Sequence, residues 1–317
     1  MLHTNGPRTL VPLRKPLSIQ SLITNFGGTS TTPEVDIHNI ATPEHATTKS
    51  LVPILHPRAA KKLNHAAAVL ISIDLAHRIT QQPTWVHPLP RFALAILLTT
   101  HSTTAETNPS ISTHAIIEDG AIIGNNVSVG HGAVVLSGAS IGDDCSIEPN
   151  AVIYGSVEIG NRVVIGAGAV IGRPGFGWAE SHNGCPIRMP QLGGVSIGDD
   201  VEIGPLATVD AGTLKPTTLK RGCKLDAHVH VGHNVEIGEG TMVAAQSGFA
   251  GSAIVGNHVL IGGQVGIADN TTVGDHAKLA GGSGVIGPIP AHATVGGYPA
   301  VDRMRWLRTF AKLMRGT

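Results

Sequence analysis

The strongest constraint on this chain is a column of apolar residues that recur every six positions between Ile111 and Val285. The recurrence breaks after Ile171 and again after Val209, and each time it resumes with the same period. A period of six fits neither a 3.6-residue helix nor an alternating strand. It is typical of a hexapeptide-repeat solenoid, in which each short strand forms one side of a coil.

A second column of small or β-branched residues lies two positions before the first, for example at Ala133, Cys145 and Val229. Residues two apart in a strand share a face, so both columns are expected to point inward. Glycine often follows the main position, as at Gly124 and Gly166, which suits a corner repeated in every coil. Aromatic residues make up only 3% of the chain, because a narrow prism has no room for rings.

Composition limits the classes of function. The formal net charge is zero, which argues against broad electrostatic binding of nucleic acid. Two of the three cysteines, Cys145 and Cys223, occupy inward positions, so we expect buried free thiols and a reducing compartment. No apolar run approaches the roughly 18 residues of a transmembrane helix, so none is expected.

The organisation of the chain follows from these patterns. The sequence predicts four parts, which are a loose extension (residues 1–15), a small α/β domain (16–107), a mainly β solenoid (108–290) and a basic helix (291–317). Within the α/β domain it predicts three helices, at 16–28, 57–64 and 90–99. It also predicts one buried strand, at 66–73.

Three histidines cluster in the run LDAHVHVGHN. By register, His228 and His230 point outward and His233 lies at a corner, and a solvated surface ring is the ordinary role of each. A zinc site like that of γ-type carbonic anhydrases would need a third histidine from an earlier coil, and no histidine lies between His182 and His228. A nucleophilic serine is also disfavoured, because Ser283 occupies an inward position without a histidine near it in register. We therefore predict no metal site.

Longer motifs resemble a known family. They are GFGWA (175–179), MPQLGGVSIGDDVEIG (189–204), LDAHVHVGHN (225–234), VAAQSGFAGS (243–252), IGGQVGIAD (261–269) and GGSGVIGPIP (281–290). Together they resemble the UDP-3-O-acylglucosamine N-acyltransferases of lipid A biosynthesis. A weaker similarity continues through DIHNIATPEHATT (36–48) and the carboxyl-terminal helix.

The resemblance implies a left-handed parallel β-helix that assembles as a homotrimer. It implies transfer of a 3-hydroxyacyl chain from acyl carrier protein to the 2-amine of a UDP-3-O-acylglucosamine. No bound cofactor is implied, since the phosphopantetheine arm of the carrier protein holds the acyl donor. The corresponding location is the bacterial cytoplasm, with peripheral attachment to the inner membrane left open.

Residue roles also follow from the resemblance. The family's general base corresponds to His233, a carboxylate thought to orient it to Asp226, and its oxyanion-binding backbone N–H to Gly251. Asn234 and Asn270 are the corresponding candidates for substrate binding. Gly251 lies 18 residues after His233, which is one full coil, so the two are expected about 4.8 Å apart.

The chain departs from the family pattern at several positions. Asn270 stands where the family often has a second histidine. The uracil-stacking phenylalanine and tyrosine align with Pro53 and Ala59, and an asparagine between them aligns with His56. His56 is therefore the remaining candidate contact for the nucleotide, and we expect weak recognition of uracil.

The carboxyl-terminal helix offers a basic surface to acidic acyl carrier protein, and its candidate docking residues are Arg303, Arg305 and Arg308. Two other functions remain open at this stage. One is a hexapeptide acyltransferase that acts on another nucleotide sugar. The other is a β-helix scaffold without catalysis.

Overall fold

The computed structural model describes residues 10–30, 32, 34–63, 65–101 and 109–315. The chain divides into two compact units, Met1–Thr107 and Asn108–Thr317. The first is a small α/β unit, and the second is a parallel β-helix followed by one helix. The predicted fold class is confirmed.

The first unit is built on one six-stranded sheet. Its elements are β1 (Leu10–Ser18), α1 (Ile19–Phe26), β2 (Thr29–Ser30), β3 (Asp36–Ala41), β4 (Ser50–Ile54), α2 (Pro57–Ala60), β5 (Ala68–Ile71), β6 (Thr84–Val86) and α3 (Pro90–His101), with 3₁₀ turns at Pro43–His45 and Ala76–Arg78. The strand order is β1-β3-β4-β5-β6-β2. Strands β3 to β6 run parallel, and the edge strands β1 and β2 are antiparallel to their neighbours.

The start of this unit corrects one expectation. The loose extension predicted through residue 15 is wrong from Leu10 onward, because Leu10–Ser18 forms β1 along β3. Leu13 and Leu17 of β1 are buried in the core of the sheet, which supplies the free energy that holds the strand in place. The predicted helix at 16–28 is confirmed, and its amino end is capped by the hydroxyl of Ser18.

The second unit is built of short strands, most of which stack in parallel. They are β7 (Ile116–Ile117), β8 (Ile122–Ile123), β9 (Ser128–Val129), β10 (Val134–Val135), β11 (Ser140–Ile141), β12 (Ser146–Ile147), β13 (Val152–Ile153), β14 (Val157–Ile159), β15 (Val164–Ile165), β16 (Val170–Pro174), β17 (Trp178–Glu180), β18 (Pro186–Arg188), β19 (Val195–Ile197), β20 (Glu202–Ile203), β21 (Thr208–Ala211), β22 (Thr217–Leu219), β23 (Lys224–Leu225), β24 (His230–Val231), β25 (Glu236–Ile237), β26 (Met242–Val243), β27 (Gly248–Phe249), β28 (Ile254–Val255), β29 (Leu260–Ile261), β30 (Gly266–Ile267), β31 (Thr272–Val273), β32 (Lys278–Leu279), β33 (Gly284–Val285), β34 (Thr294–Gly296) and β35 (Val301–Asp302). The chain ends in α4 (Arg303–Arg315).

Three sheets form the sides of the β-helix. The first face contains β7, β10, β13, β16, β21, β24, β27, β30 and β33. The second face contains β8, β11, β14, β19, β22, β25, β28 and β31, and the third contains β9, β12, β15, β20, β23, β26, β29, β32, β34 and β35. Residues one coil apart pair in register, for example Val231 with Phe249.

The inward columns form one continuous core, as the period of six predicts. The exceptions lie at its start, where Ile111 is exposed and Ile117 and Ile123 are half-buried, because among the described residues no coil of the β-helix precedes the first one. Some of the polar residues in the core form hydrogen bonds between coils. The buried hydroxyls of Thr241 and Ser247, for instance, donate to carbonyls at 2.8 and 2.9 Å.

The two breaks in the repeat are loops that leave the first face. In the first break, β16 continues to Pro174, β17 and β18 form an antiparallel hairpin, and β19 resumes the stack. In the second break, β21 continues to Ala211 and the chain returns at β22. Since β21 pairs with both β16 and β24, both loops leave next to the strand that precedes His233.

Helix α4 carries its basic side chains, including Arg303, Arg305 and Arg308, on exposed positions. Asp302 caps its first turn by accepting a hydrogen bond from the backbone N–H of Arg305. Within the described residues, no helix has the combined length and apolarity needed to cross a bilayer.

Candidate active site

His233 lies at the corner that follows β24, and its imidazole covers the backbone of Gly251 in the next coil. A methyl group added to Gly251 would stand 2.5 Å from Cε1 and 2.7 Å from Nε2 of the ring. The residue after Gly251, Ser252, donates its backbone N–H to the carbonyl of His233 at 2.9 Å. The structure thus brings His233 and Gly251 together, as the 18-residue spacing predicts.

The side chain of Asn234 fixes the tautomer of His233. The Asn234 Oδ1 accepts hydrogen bonds from the backbone N–H and the hydroxyl of Thr213, at 3.2 and 2.9 Å, so this oxygen is an acceptor. It also lies 3.0 Å from His233 Nδ1, which must therefore carry a proton, leaving Nε2 unprotonated in the neutral ring. Nδ2 of Asn234 donates to the carbonyl of Lys215. These contacts suit a side chain that orients His233, and the role of Asn234 in substrate binding stays a prediction.

The backbone N–H of Gly251 has no acceptor among the described residues. At comparable corners a carboxylate 19 residues earlier accepts from this N–H, in the pairs Ser137 with Glu118, Ala167 with Glu148, and Ala245 with Asp226. The residue 19 positions before Gly251 is Gly232, which has no side chain to fill that place. The N–H is therefore available to bind an oxyanion.

Asp226 does not occupy the position expected of it beside His233. Its exposed carboxylate accepts from the backbone N–H groups of Ala227 and Ala245, at 2.7 and 3.2 Å, so it caps a corner of the β-helix. It lines a different groove, along the third face, whereas His233 lines a groove on the first face. Within one chain the two residues lie at different corners of the prism, so the expectation that Asp226 orients His233 stays a prediction.

Asp210 is the carboxylate in the groove of His233. It is almost fully buried, with Arg173 Nε at 2.9 Å from Oδ1 and His230 Nε2 at 3.8 Å from Oδ2. Burial raises the pKa of the Asp210 carboxyl, and the guanidinium of Arg173 opposes that rise most. Sequence reasoning missed Asp210 because it lies at the start of the second break, where the repeat no longer assigns side chains to faces.

An apolar groove of about 530 Å³ extends from His233 along the first face. Its floor is made of glycines, and a side chain at Gly248 or Gly266 would meet nothing within 4 Å. The next glycine of the column, Gly284, lies directly under the ring of Tyr298. Phe176, from the loop of the first break, lines the groove at the His233 end. The groove thus has a polar end with His233 and an apolar floor that ends under an aromatic ring.

The other predicted residues lie outside this groove. Asn270 is exposed at a corner two coils beyond Asn234, and its amide donates to Asp269. His56 belongs to the first unit, where its Nδ1 accepts from the backbone N–H of Arg58 at the start of α2. Their roles in substrate binding remain predictions, as does docking of a carrier protein on the exposed arginines of α4.

The rings of the first unit that could replace the missing uracil stack are Phe26, Trp85 and Phe92, and of these Phe92 is exposed. Trp85 is fully buried in the first unit and donates its indole N–H to the carbonyl of Gly27 at 2.8 Å. It cannot stack on a base without leaving the core. Pro53 and Ala59 are half-buried and add no ring.

The chemistry available at this site is acyl transfer. An unprotonated imidazole nitrogen, an open backbone N–H one coil away and a long apolar groove are the parts needed to activate a nucleophile, bind an oxyanion and hold an acyl chain. In the described part of the chain, no three His, Cys, Asp or Glu side chains are arranged to hold a metal ion.

The fold and this site define a hexapeptide-repeat transferase. The family described as bacterial transferase hexapeptide (six repeats) matches residues 138–173 and 216–251, and the hexapeptide repeat of succinyl-transferase matches 115–155 and 252–285. Among solved structures, UDP-N-acetylglucosamine acyltransferases from Campylobacter jejuni and Bacteroides fragilis are 26% and 28% identical, with a TM-score of 0.56 each. They align with 61% and 63% of this chain, and 74% and 77% of those chains are covered.

Curated relatives identify the family more closely. UDP-3-O-acylglucosamine N-acyltransferase 2 of Legionella pneumophila is 38% identical over 267 residues, which cover 78% of this chain and 76% of that protein. The chain therefore belongs to the UDP-3-O-acylglucosamine N-acyltransferase family. The match to the Chlorobium chlorochromatii enzyme of that name is 53% identical over 89 residues and spans only 25% of that protein.

Proposed function

We propose that this protein is an N-acyltransferase that moves a 3-hydroxyacyl chain from acyl carrier protein to the 2-amine of UDP-3-O-acylglucosamine. The observation that carries the proposal is the pairing of His233 with the open N–H of Gly251 at one end of an apolar groove. The names of the relatives in the family support the same acceptor.

His233 is the general base of the proposed reaction. The amine nitrogen attacks the thioester carbonyl carbon, and Nε2 of His233 takes the proton that the nitrogen loses. The hydrogen bond from Nδ1 to Asn234 keeps Nε2 directed away from the protein amide. When the carbon–sulfur bond breaks, Nε2 of His233 gives the proton to the departing phosphopantetheine thiolate. Nε2 therefore ends the cycle unprotonated, as it began.

Gly251 stabilises the charge that develops on the thioester oxygen. Its N–H has no acceptor among the described residues, so the oxyanion displaces no hydrogen bond as the tetrahedral intermediate forms. The acyl chain lies on the glycine floor formed by Gly248 and Gly266, where the absence of side chains leaves room for a hydrocarbon. We propose that its far end reaches towards Tyr298.

Assembly and partners complete the proposal. Exposed apolar side chains on the third face, such as Met242 and Leu260, suit burial against a second copy of the chain, in accord with a homotrimer. The basic residues Arg303, Arg305 and Arg308 of α4 are proposed to receive the acidic carrier protein. We propose that the reaction takes place in the cytoplasm, where acyl carrier protein is charged.

Mass spectrometry of the products tests the function. Purified protein is given 3-hydroxyacyl carrier proteins of different chain length together with UDP-3-O-acylglucosamine, and a product with one additional amide-linked acyl chain is expected. His233→Ala should abolish most of this product, and His228→Ala, which changes an exposed ring outside the groove, should not.

The same assay tests which sugar nucleotide accepts the acyl chain. UDP-N-acetylglucosamine, which offers hydroxyls in place of a free amine, is supplied in a parallel reaction. Acylation of that sugar in preference to the amine would contradict the proposed reaction. The absence of any acyl product with every donor would favour the scaffold interpretation.

A further inference from the structure

A hydrogen-bonded chain of side chains leads from the loop of the first break to the base. It starts at Gln191, three residues after β18, whose Oε1 lies 2.7 Å from the hydroxyl of Thr213. The same hydroxyl lies 2.9 Å from Oδ1 of Asn234, and that oxygen lies 3.0 Å from Nδ1 of His233. The amide of Gln191 is thus connected to the imidazole of His233 through two intervening side chains.

The backbone of both loops holds Thr213 in this position. Its carbonyl accepts from the N–H of Leu192 at 2.9 Å, and the neighbouring carbonyl of Gly212 accepts from the N–H of Gly193 at 2.8 Å. Its own N–H donates to Asn234 at 3.2 Å. Because the backbone is fixed on each side, the part of Thr213 that is free to change is the direction of its hydroxyl proton.

The hydroxyl of Thr213 faces two amide oxygens with a single proton. It donates either to Oε1 of Gln191 or to Oδ1 of Asn234, and the other oxygen then faces a lone pair of the hydroxyl. A half-turn of the Gln191 amide removes this conflict, since Nε2 would donate to the hydroxyl and the hydroxyl to Asn234. The hydrogen bond that opposes the half-turn, from Nε2 to the carbonyl of Met189, is 3.4 Å long and therefore weak.

The direction of this proton bears on the tautomer of His233. When the hydroxyl donates to Asn234, Oδ1 stays directed at Nδ1 of His233, which keeps the ring proton on Nδ1 and leaves Nε2 free. When the hydroxyl donates to Gln191, its lone pair favours Nδ2 of Asn234 in place of Oδ1. An amide turned in that way would donate to Nδ1 of His233, and the ring proton would then reside on Nε2. The N–H of Thr213 and the carbonyl of Lys215 oppose this turn.

We propose that Gln191 is a positioning residue of the acyl-transfer site, which acts through the hydroxyl of Thr213 and the amide of Asn234 on the tautomer of His233. The role rests on the proposed function of His233 as the base. Gln191 is half-buried, so a polar group of the acceptor can reach its amide. A sugar hydroxyl that donates to Oε1 favours the orientation in which Nε2 faces Thr213, and this orientation leaves Nε2 of His233 free to accept a proton.

The test changes the hydrogen-bonding character of residue 191 and measures the tautomer of His233. Full-length protein is labelled with ¹⁵N-histidine, and the ring signals of His233 are assigned by their loss in His233→Ala. Protonated and unprotonated ring nitrogens differ widely in ¹⁵N chemical shift, so the two neutral tautomers can be distinguished at alkaline pH. The unaltered protein should carry the proton on Nδ1. Gln191→Glu keeps the shape of the side chain but can only accept, and it should raise the proportion of the Nε2–H form by roughly tenfold, because a charged acceptor holds the hydroxyl proton more strongly than an amide.

A second substitution separates the hydrogen-bonded chain from the added charge. Thr213→Val removes the hydroxyl, so the double variant Gln191→Glu with Thr213→Val keeps the carboxylate but lacks the connection, and the proton should return to Nδ1. Gln20→Glu makes the same change at an exposed position of α1 and is the matched control, which should leave His233 unchanged.

A further variant keeps the test decisive if Gln191→Glu does not fold. Gln191→Met has a similar length and no amide, so the hydroxyl of Thr213 is left to donate to Asn234 and the Nδ1–H form alone is expected. An unchanged tautomer in Gln191→Glu, an equal change in the double variant, or an Nε2–H form in Gln191→Met would overturn the proposal.

Kinetics provide an independent readout. Gln191→Glu should lower kcat by roughly three- to tenfold with little change in KM for the carrier protein, and the double variant should recover most of that loss. Thr213→Val cannot repair a loop distorted by the carboxylate, so the absence of recovery would also overturn the role of Gln191. The NMR measurement needs no substrate. If no donor and acceptor give a product, the proposed function fails while the spectra still test the chain from Gln191 to His233. Unchanged spectra together with normal acyl transfer would reject that chain alone.

Discussion

The backbone N–H of Gly251 could be given a hydrogen-bond acceptor by a single substitution, Gly232→Asp. At comparable corners, carboxylates 19 residues earlier accept from the equivalent N–H at distances of 2.9 to 3.2 Å. An aspartate at position 232 would have the same relation to Gly251. The backbone of Gly232 is not left-handed, so a side chain there meets no conformational barrier of that kind.

The expected loss has two sources. Capping the N–H removes the donor that would bind the thioester oxyanion, and removal of one such donor typically costs about 10²–10³ in kcat, or about 3–4 kcal/mol of transition-state stabilisation. The introduced carboxylate also adds a negative charge beside the oxygen on which negative charge develops. We therefore expect kcat to fall by at least roughly 10²-fold.

Crowding must be separated from capping. A Cβ at position 232 would lie 2.7 Å from the carbonyl oxygen of Phe249 and 3.1 Å from the nitrogen of Gly251, so any substitution there shifts the corner slightly. Gly232→Ala introduces the same Cβ without an acceptor, and it serves as the matched control. Steady-state kinetics with acyl carrier protein and the sugar, together with thermal unfolding of each variant, distinguish the two effects.

The result that would refute the reasoning is specific. If Gly232→Asp is folded and keeps more than about a tenth of the unaltered kcat, the Gly251 N–H does not bind the oxyanion. Equal losses in Gly232→Ala and Gly232→Asp would show that crowding, and not capping, causes the defect.

Four further outcomes are expected. His233→Ala should lower kcat by roughly 10²–10⁴ with little change in melting temperature, since the ring packs outside the core; retention of a tenth of the activity would place the base elsewhere. Tyr298→Ala should extend the groove and shift the preferred donor to longer acyl chains, whereas Gly266→Leu should shift the preference to shorter ones. The masses of the products measure this preference, and an unchanged preference in both variants would show that the groove does not bind the acyl chain. UDP alone should bind weakly in calorimetry, because base stacking worth about 1–3 kcal/mol per ring is missing, and tight binding would contradict this. Replacement of Arg305 and Arg308 by glutamate should raise KM for the carrier protein and spare kcat, and an unchanged KM would remove α4 as the docking site.

The core of the β-helix and the proximity of His233 to Gly251 could both be predicted from the sequence, and for the same reason. In a coil of 18 residues, the register fixes which side chains point inward and which residues lie one coil apart. Phe249 could therefore be assigned to the core, and Gly251 could be placed beside His233, from numbering alone.

The residues around the base could not be found in this way. Asp210 and Thr213 lie in the second break, where the chain leaves the repeat and their position depends on contacts with the loop of the first break. The function of Asn234 depends on which partners fill its amide, and that is decided by tertiary hydrogen bonds. The role predicted for Asp226 depends on its match to the family, whereas within one chain its corner belongs to another side of the prism.

The exposed start of the β-helix has a consequence for how the protein opens. Each coil of a solenoid is stabilised by its neighbours, so stability is a sum of local terms along the stack. In the described part of the chain, the coil that carries Ile111 and Ile117 pairs with one other coil only and has an incompletely buried core, so its amide protons should exchange with solvent before those of the other coils. The coils of His233 and Gly251 are packed on both sides, and their amides should exchange only in larger openings. Fraying at the first coil can thus proceed without loosening the groove, since the two are separated by several independently packed turns.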